Sequence, residues 1–210
     1  MTVTLRQMKQ MLLGGADCVI SARDELTDID SRFGDADHGI TMEKIMTALK
    51  NAVRSFGEDG TIKDLMSGIS MAVMTINGGS AVPLWTTLFD GLADGAPDRI
   101  EMSEEEFRSM FRSGYETLFE ISRAKKGDKT MMDALEPAVD VLCAAAGGLA
   151  DMIKASAGAA EAGARETANF AARFGRAKNY GERSIGTPDA GAMSMRYFFQ
   201  GLLEGLKKDQ

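Results

Sequence analysis

The sequence predicts an all-α fold, a barrel or bundle of eight antiparallel helices, and three observations carry that expectation. Apolar residues recur at spacings of three and four along most of the 210-residue chain. Alternating runs of Val, Ile and Thr, the signature of strands, are hard to find. Only four prolines interrupt the pattern. With 44% apolar and 26% charged residues, a chain of this length suits one domain over residues 1–210 and buries roughly 70% of its unfolded surface.

Taken in order, Leu5, Met8, Leu12, Ala16 and Ile20 share one face of a first helix. Helical stretches follow at about 40–56, 62–76 and 82–95. Ser103 then starts a helix as N-cap, with Glu104–Glu106 in its first turn, and Phe107, Met110, Phe111, Gly114 and Leu118 form its apolar face. Further stretches at about 129–146 and 152–174 lead to a last helix. That helix carries Ala192, Met195, Phe199, Leu202 and Leu206, with Lys207 and Lys208 suited to its C-terminal dipole. The Ala- and Gly-rich segment from Ala144 to Ala172 reads as close helix packing or as a connection near Gly147-Gly148 and Gly158. No repeat or linker divides the chain.

Composition excludes several classes. A formal charge of -7 argues against nucleic acid and anionic membranes as partners. No apolar run is long enough to span a bilayer and no secretory signal follows Met1, so a cytoplasmic protein is expected. Cys18 and Cys143 sit in apolar helical context and read as two buried free thiols rather than a disulfide. A single histidine, His38, rules out a His-rich metal site.

Three regions resist the helical pattern and hold nearly all the unusual residues. The first runs from Asp28 to Gly39 and places Asp30, Asp35 and Asp37 within eight residues, beside Gly34 and Gly39. Carboxylate oxygens are natural ligands of a hard cation, and magnesium favours a few of them together with substrate phosphates. Asp35 and Asp37, two apart, would point the same way on an extended stretch, with Asp30 closing the cluster from the end of the preceding helix. Three close carboxylates require a cation or a proton. Alone, the loop reads more readily as a solvated acidic turn than as a metal site, and it lacks the order of an EF-hand. His38 reads as a capping or packing residue, at the start of a helix whose free N–H groups suit an anion.

The second region, Asn77-Gly-Gly-Ser-Ala-Val-Pro-Leu84, lets backbone approach a ligand at Gly78 and Gly79 and sets Pro83 in the first turn of the next helix. Taken alone it reads equally as a helix–helix turn. Neither a P-loop nor a Rossmann glycine motif is present. The third is split. Gly127–Asp133 opens a helix with Asp128 or Thr130 as cap candidates, and Gly175–Gly186 brings together Arg176, Lys178 and Arg183. That cationic group suits phosphate contact, or else pairs with Glu182 and Asp189 at the surface.

Taken together, Asp30…Gly34-Asp-Ala-Asp-His-Gly39, Gly78-Gly79…Pro83-Leu84, Gly127-Asp-Lys-Thr-Met131, Gly175-Arg-Ala177 and Gly181-Glu-Arg-Ser-Ile-Gly186 resemble the L subunit of dihydroxyacetone kinase, from about residue 5 to 207. The resemblance implies an eight-helix barrel with a nucleotide at one rim. It implies that Asp30, Asp35 and Asp37 hold Mg2+, as two ions, which bridge the phosphates of ADP or ATP. By the same resemblance, nucleotide contacts fall on His38, Gly39, Ile40, Thr41, Gly78, Gly79, Ser80, Ala124, Met131, Arg176, Asp189, Ala190 and Gly191. Met131 would pack on the adenine, and Arg176 would be catalytic.

The family divides labour with a K subunit that binds the ketose covalently, and some members take their phosphoryl group from a phosphotransferase-system subunit. The resemblance therefore implies half of a short-chain ketose kinase in glycerol metabolism. The alternative is a nucleotide-bound regulatory module that binds a transcription regulator, and after it the related domain of fatty-acid kinases. Oligomeric state, a homodimer included, is left open. Three departures touch the nucleotide rim. The usual G-G-A-S-G-P-L reads Gly-Gly-Ser80-Ala81-Val82-Pro-Leu, Thr41 stands for an asparagine, and Asp189-Ala-Gly-Ala stands for D-P-G-A. Val82 replaces a glycine with a residue unsuited to positive φ.

Overall fold

The computed structural model describes residues 2–208. Among them lie nine α-helices: α1 Leu5–Ser21, α2 Arg23–Ser31, α3 His38–Ser55, α4 Ile62–Met74, α5 Ala81–Gly95, α6 Glu104–Ser122, α7 Met132–Ala144, α8 Leu149–Glu166 and α9 Ala190–Lys207. Packing runs from neighbour to neighbour through α1, α3, α4, α5, α6, α7, α8 and α9, and α9 returns to α1. Eight helices thus close a ring, the all-α barrel expected. The ninth, α2, lies outside it against α3 and α9.

The pairs are antiparallel. A Cβ on Gly201 would lie 2.5 Å from the Gly15 Cα, and one on Gly205 2.9 Å from the Met11 Cα, so α1 and α9 run past each other with backbone nearly touching. Gly91 and Gly95 of α5 meet Gly114 and Met110 of α6 in the same sense. Inside the ring one continuous apolar core joins all the helices. At its centre the Trp85 and Phe198 rings are 5.2 Å apart, with Phe89 5.7 Å from Trp85. Burying aromatic rings of this size supplies much of what holds a helical ring together.

Four expectations need correction. Strands are present: β1 (Thr2–Thr4) pairs antiparallel with β2 (Glu101–Ser103), three residues each. The helix after Ser21 is separate, because the chain breaks at Ala22 (φ -90°, ψ 5°) without a glycine or proline to announce it. α7 begins at Met132 rather than near 129, since Lys129 adopts a left-handed backbone (φ 62°). α8 starts earlier and ends earlier than the stretch 152–174. The Thr167 hydroxyl donates to the Ala164 carbonyl and accepts from the Asp189 N–H (2.8 Å), pinning the chain into a 3-10 turn at Thr167–Asn169.

Cys18 and Cys143 are free thiols, but half-buried rather than buried. Burial, with the Glu204 carboxylate 3.2 Å away, pushes the Cys18 thiol up to about 12, so it is a poor nucleophile at neutral pH. Among the described residues no helix is long and apolar enough to cross a membrane.

Candidate functional site

Alternation around the ring decides which loops meet. The starts of α1, α4 and α6 lie together at one rim, where β1 pairs with β2 and the Ile62 N–H donates to the Arg99 carbonyl. The starts of α3, α5, α7 and α9 line a cleft of about 260 Å³ at the other. The two rims are finished differently. On the first, three of the four helices that start there carry a capping box, Thr4 with Gln7, Thr61 with Asp64 and Ser103 with Glu106, while α8 has no side-chain cap. On the cleft side no N-cap side chain closes α3, α5 or α7. α9 is the exception, since Asp189 accepts from the Ala192 N–H at 2.7 Å. Asp30 takes the His38 N–H of α3 and Thr130 the Met132 N–H of α7, and the remaining N–H groups and positive dipole ends of these starts favour an anion in the cleft.

Against this positive field stands the acidic loop. One carboxylate oxygen each from Asp30, Asp35 and Asp37 lie within 4.8 Å of one another. The extended path expected from Asp35 to Asp37 is not what aligns them. The chain turns at Ala36, a left-handed residue (φ 60°), and that turn aims both carboxylates toward Asp30. Asp30, in the last turn of α2, accepts from the Asp37 N–H (3.1 Å) and the His38 N–H (3.3 Å), so it fixes the loop as well as facing it. Gly34 makes room, since a Cβ there would sit 2.7 Å from the Asp30 Cγ. Arg176 pairs with Asp35. One guanidinium leaves a cluster of three carboxylates net negative, and an all-oxygen, all-carboxylate donor set suits Mg2+ or a similar hard cation.

Of the sequence-selected residues, His38, Thr41, Gly79, Ser80, Met131, Arg176, Asp189, Ala190 and Gly191 line the cleft with the three aspartates. Four do not. Gly39 is packed on the Arg23 carbonyl and Thr27 of α2, and Ile40 is exposed. Gly78 sits behind the cleft, where a Cβ would strike Thr41 and Val82. Ala124 is buried just after α6, away from the lining.

The strain anticipated at Val82 does not arise, because α5 begins at Ala81 and Ser80 already has φ -60°. Pro83 falls in the first turn of α5. At the start of α7, Thr130 is the cap candidate that acts: its hydroxyl accepts from the Met132 N–H at 3.2 Å, while Asp128 accepts from the Lys125 N–H instead. Arg183 lies over the Tyr180 ring rather than on Glu182 or Asp189.

His38 is half-buried and tied to α9. The Ser194 hydroxyl donates to the Ala190 carbonyl (3.0 Å) and so accepts from His38 Nε2 (2.7 Å), which leaves Nδ1 as an acceptor. Burial lowers its pKa, more than the Asp30 charge raises it, so the ring is neutral near pH 7. Burial also pushes Asp189 up to about 7, against the pull of the Ala192 N–H. Lys129, Thr130, Phe174, Gly175 and Ala177 line the cleft as well. Their motifs were visible in the sequence, but nothing there marks these particular side chains as inward-facing.

Residues 32–204 of this all-helical ring, acidic loop included, match the DAK2 domain. The chain belongs to the DAK2 family, in its dihydroxyacetone kinase L-subunit form. It is 30% identical to the PEP-dependent dihydroxyacetone kinase, ADP-binding subunit DhaL, of Escherichia coli (strain K12), over 99% of this chain and 100% of that one. It is 34% identical to the ADP-binding subunit DhaL of PEP-dependent dihydroxyacetone kinase 2 of Listeria innocua, over 89% of this chain and 88% of that one.

D-erythrulose kinase of Mycolicibacterium smegmatis is 33% identical over 86% of this chain, which spans only 32% of that protein. The fold matches the dihydroxyacetone kinase of C. freundii in complex with AMP-PNP and Mg2+ with a TM-score of 0.72 at 22% identity, covering 93% of this chain and 33% of that one.

Proposed function

We propose that residues 1–210 form one L-type domain that holds a magnesium–adenine nucleotide and hands its phosphoryl group to a short-chain ketose bound by a separate K subunit. One observation carries the reading. The three carboxylates share a single cleft with the starts of α3, α5 and α7, none of them closed by its own N-cap side chain, so the site asks for an anion and a cation together. Magnesium phosphate is that combination. The names of the full-length relatives, ADP-binding subunits of dihydroxyacetone kinases, support the same choice.

In this reading Asp30, Asp35 and Asp37 hold two divalent ions, which when bound neutralise charge on the phosphate oxygens. The N–H groups of Gly79 and Ser80 would donate to the phosphates. Met131 and Ala190–Gly191 give the adenine an apolar wall. Arg176, which lines the cleft beside Asp35, would supply the guanidinium that stabilises charge on the phosphoryl group, the catalytic role of the chain. The ketose, its covalent attachment and the phosphoryl donor, whether ATP or a phosphotransferase-system subunit, belong to partners.

The test mixes the chain with a K subunit, dihydroxyacetone or erythrulose, and either MgATP or a phosphotransferase donor. Ketose phosphate that forms only when both subunits are present is the expected result. No product with either donor contradicts the proposal.

A further inference from the structure

Lys129 is 4% exposed, yet carries an ammonium group. Its Nζ donates to the carbonyls of Phe170 (3.0 Å), Ser184 (2.7 Å) and Thr187 (2.6 Å). Three acceptors take three protons, so the amine has no lone pair to offer and is not a nucleophile. All three carbonyls belong to one segment, residues 170–187, which lies 41 to 58 positions along the chain. Burial pulls the Lys129 pKa down, and the nearby Asp189 and Asp133 carboxylates oppose it.

That segment has little apolar packing to hold it, though Arg176–Ser184 forms a 3-10 helix. It contains no α-helix, and glycines with positive φ stand at 175, 181 and 186. Of its large apolar side chains Phe170 is half-buried, and Phe174, Tyr180 and Ile185 are exposed. Its other ties run through Ala172 N–H to the Ser184 hydroxyl (2.9 Å), Gly186 N–H to the Ala168 carbonyl (2.7 Å), Arg173 to Asp128, Arg176 to Asp35 and the Tyr180 ring on Phe33 (5.2 Å). A buried ammonium therefore does for this segment what an apolar core does for a helix. The same segment presents Gly175, Arg176 and Ala177 to the cleft and leads into Pro188 and Asp189.

We propose that Lys129 is a positioning residue: its buried ammonium sets the place of residues 170–187 and so builds the Arg176 side of the cleft. Its effect on ligand rests on reading that cleft as a magnesium–nucleotide site. Its effect on the segment does not.

The test uses Lys129→Gly, which suits the left-handed backbone and so removes the ammonium arm without straining the chain. Lys129→Met, close in volume but without donors, is the second variant should the first fold poorly. Hydrogen exchange of the ligand-free protein is expected to lose protection across 170–187 while α1 and α9 keep theirs. MgADP affinity is expected to fall about tenfold or more, as carbonyls lose their donors. Added n-butylammonium, which replaces the missing arm, restores both in Lys129→Gly; a general loss of packing would not respond to it. Unchanged exchange in the segment, or loss spread evenly over the ring without rescue, overturns the proposal. If the unmodified chain binds no MgADP, the nucleotide reading fails, and the exchange result alone decides the role of Lys129.

Discussion

Asp30→Asn leaves the ring folded and weakens magnesium-dependent ADP binding by about 100-fold or more, since loss of a ligand costs at least what loss of its supporting partner does. The substitution isolates charge from shape. Asp30 accepts from the Asp37 and His38 N–H groups through one oxygen, and an asparagine oxygen can accept the same two bonds. The turn at Ala36 and the start of α3 are therefore kept. What goes is one negative charge from a cluster of three whose oxygens lie within 4.8 Å. Calorimetry with MgADP, alongside thermal melting of the same sample, separates the outcomes. Unchanged affinity would remove Asp30 from the site, and a collapse in melting temperature would make its role structural.

The second large effect lies where the ring closes. Gly201→Ala puts a methyl group against the Gly14 carbonyl and 2.5 Å from the Gly15 Cα, backbone on both sides. No side chain can swing away, so α1 and α9 must separate along the most extensive helix contact of the ring. The expected loss is about 3 kcal/mol or more, the upper end for overpacking. Gly68→Ala in α4 is the control, because its Cβ meets nothing within 4 Å. It should gain about 0.5–1 kcal/mol from helix propensity and reduced unfolded-chain entropy. Urea denaturation of both variants reads the difference. Equal effects would show that the glycines along α9 are not there to let the helices touch.

The helices the sequence announced are the ones in the ring, because a ring member buries a face and a buried face leaves a three-and-four repeat. α2 was not announced as a helix of its own: it buries only Leu26 and Ile29 and is separated from α1 by a single alanine. β1 and β2, at three residues each, are too short to alternate. Three unusual loops were legible as unusual, but not as neighbours. What joins them is the antiparallel ring, which sends every second connection to the same rim.

The aspartates stood out through residue type, while the conformation that gathers them did not, since an alanine at φ 60° leaves no mark in the sequence. Lys129 was the least legible of all. A buried lysine reads like a surface one, and its partners are backbone carbonyls, which any residue supplies.

The central claim is that cation and anion share one cleft, and titration of the unmodified chain with ADP tests it most directly, once with magnesium and once with a chelator. Tight binding with magnesium that is lost when the metal is removed is the predicted result. Equal affinity under both conditions, or no binding under either, would contradict it.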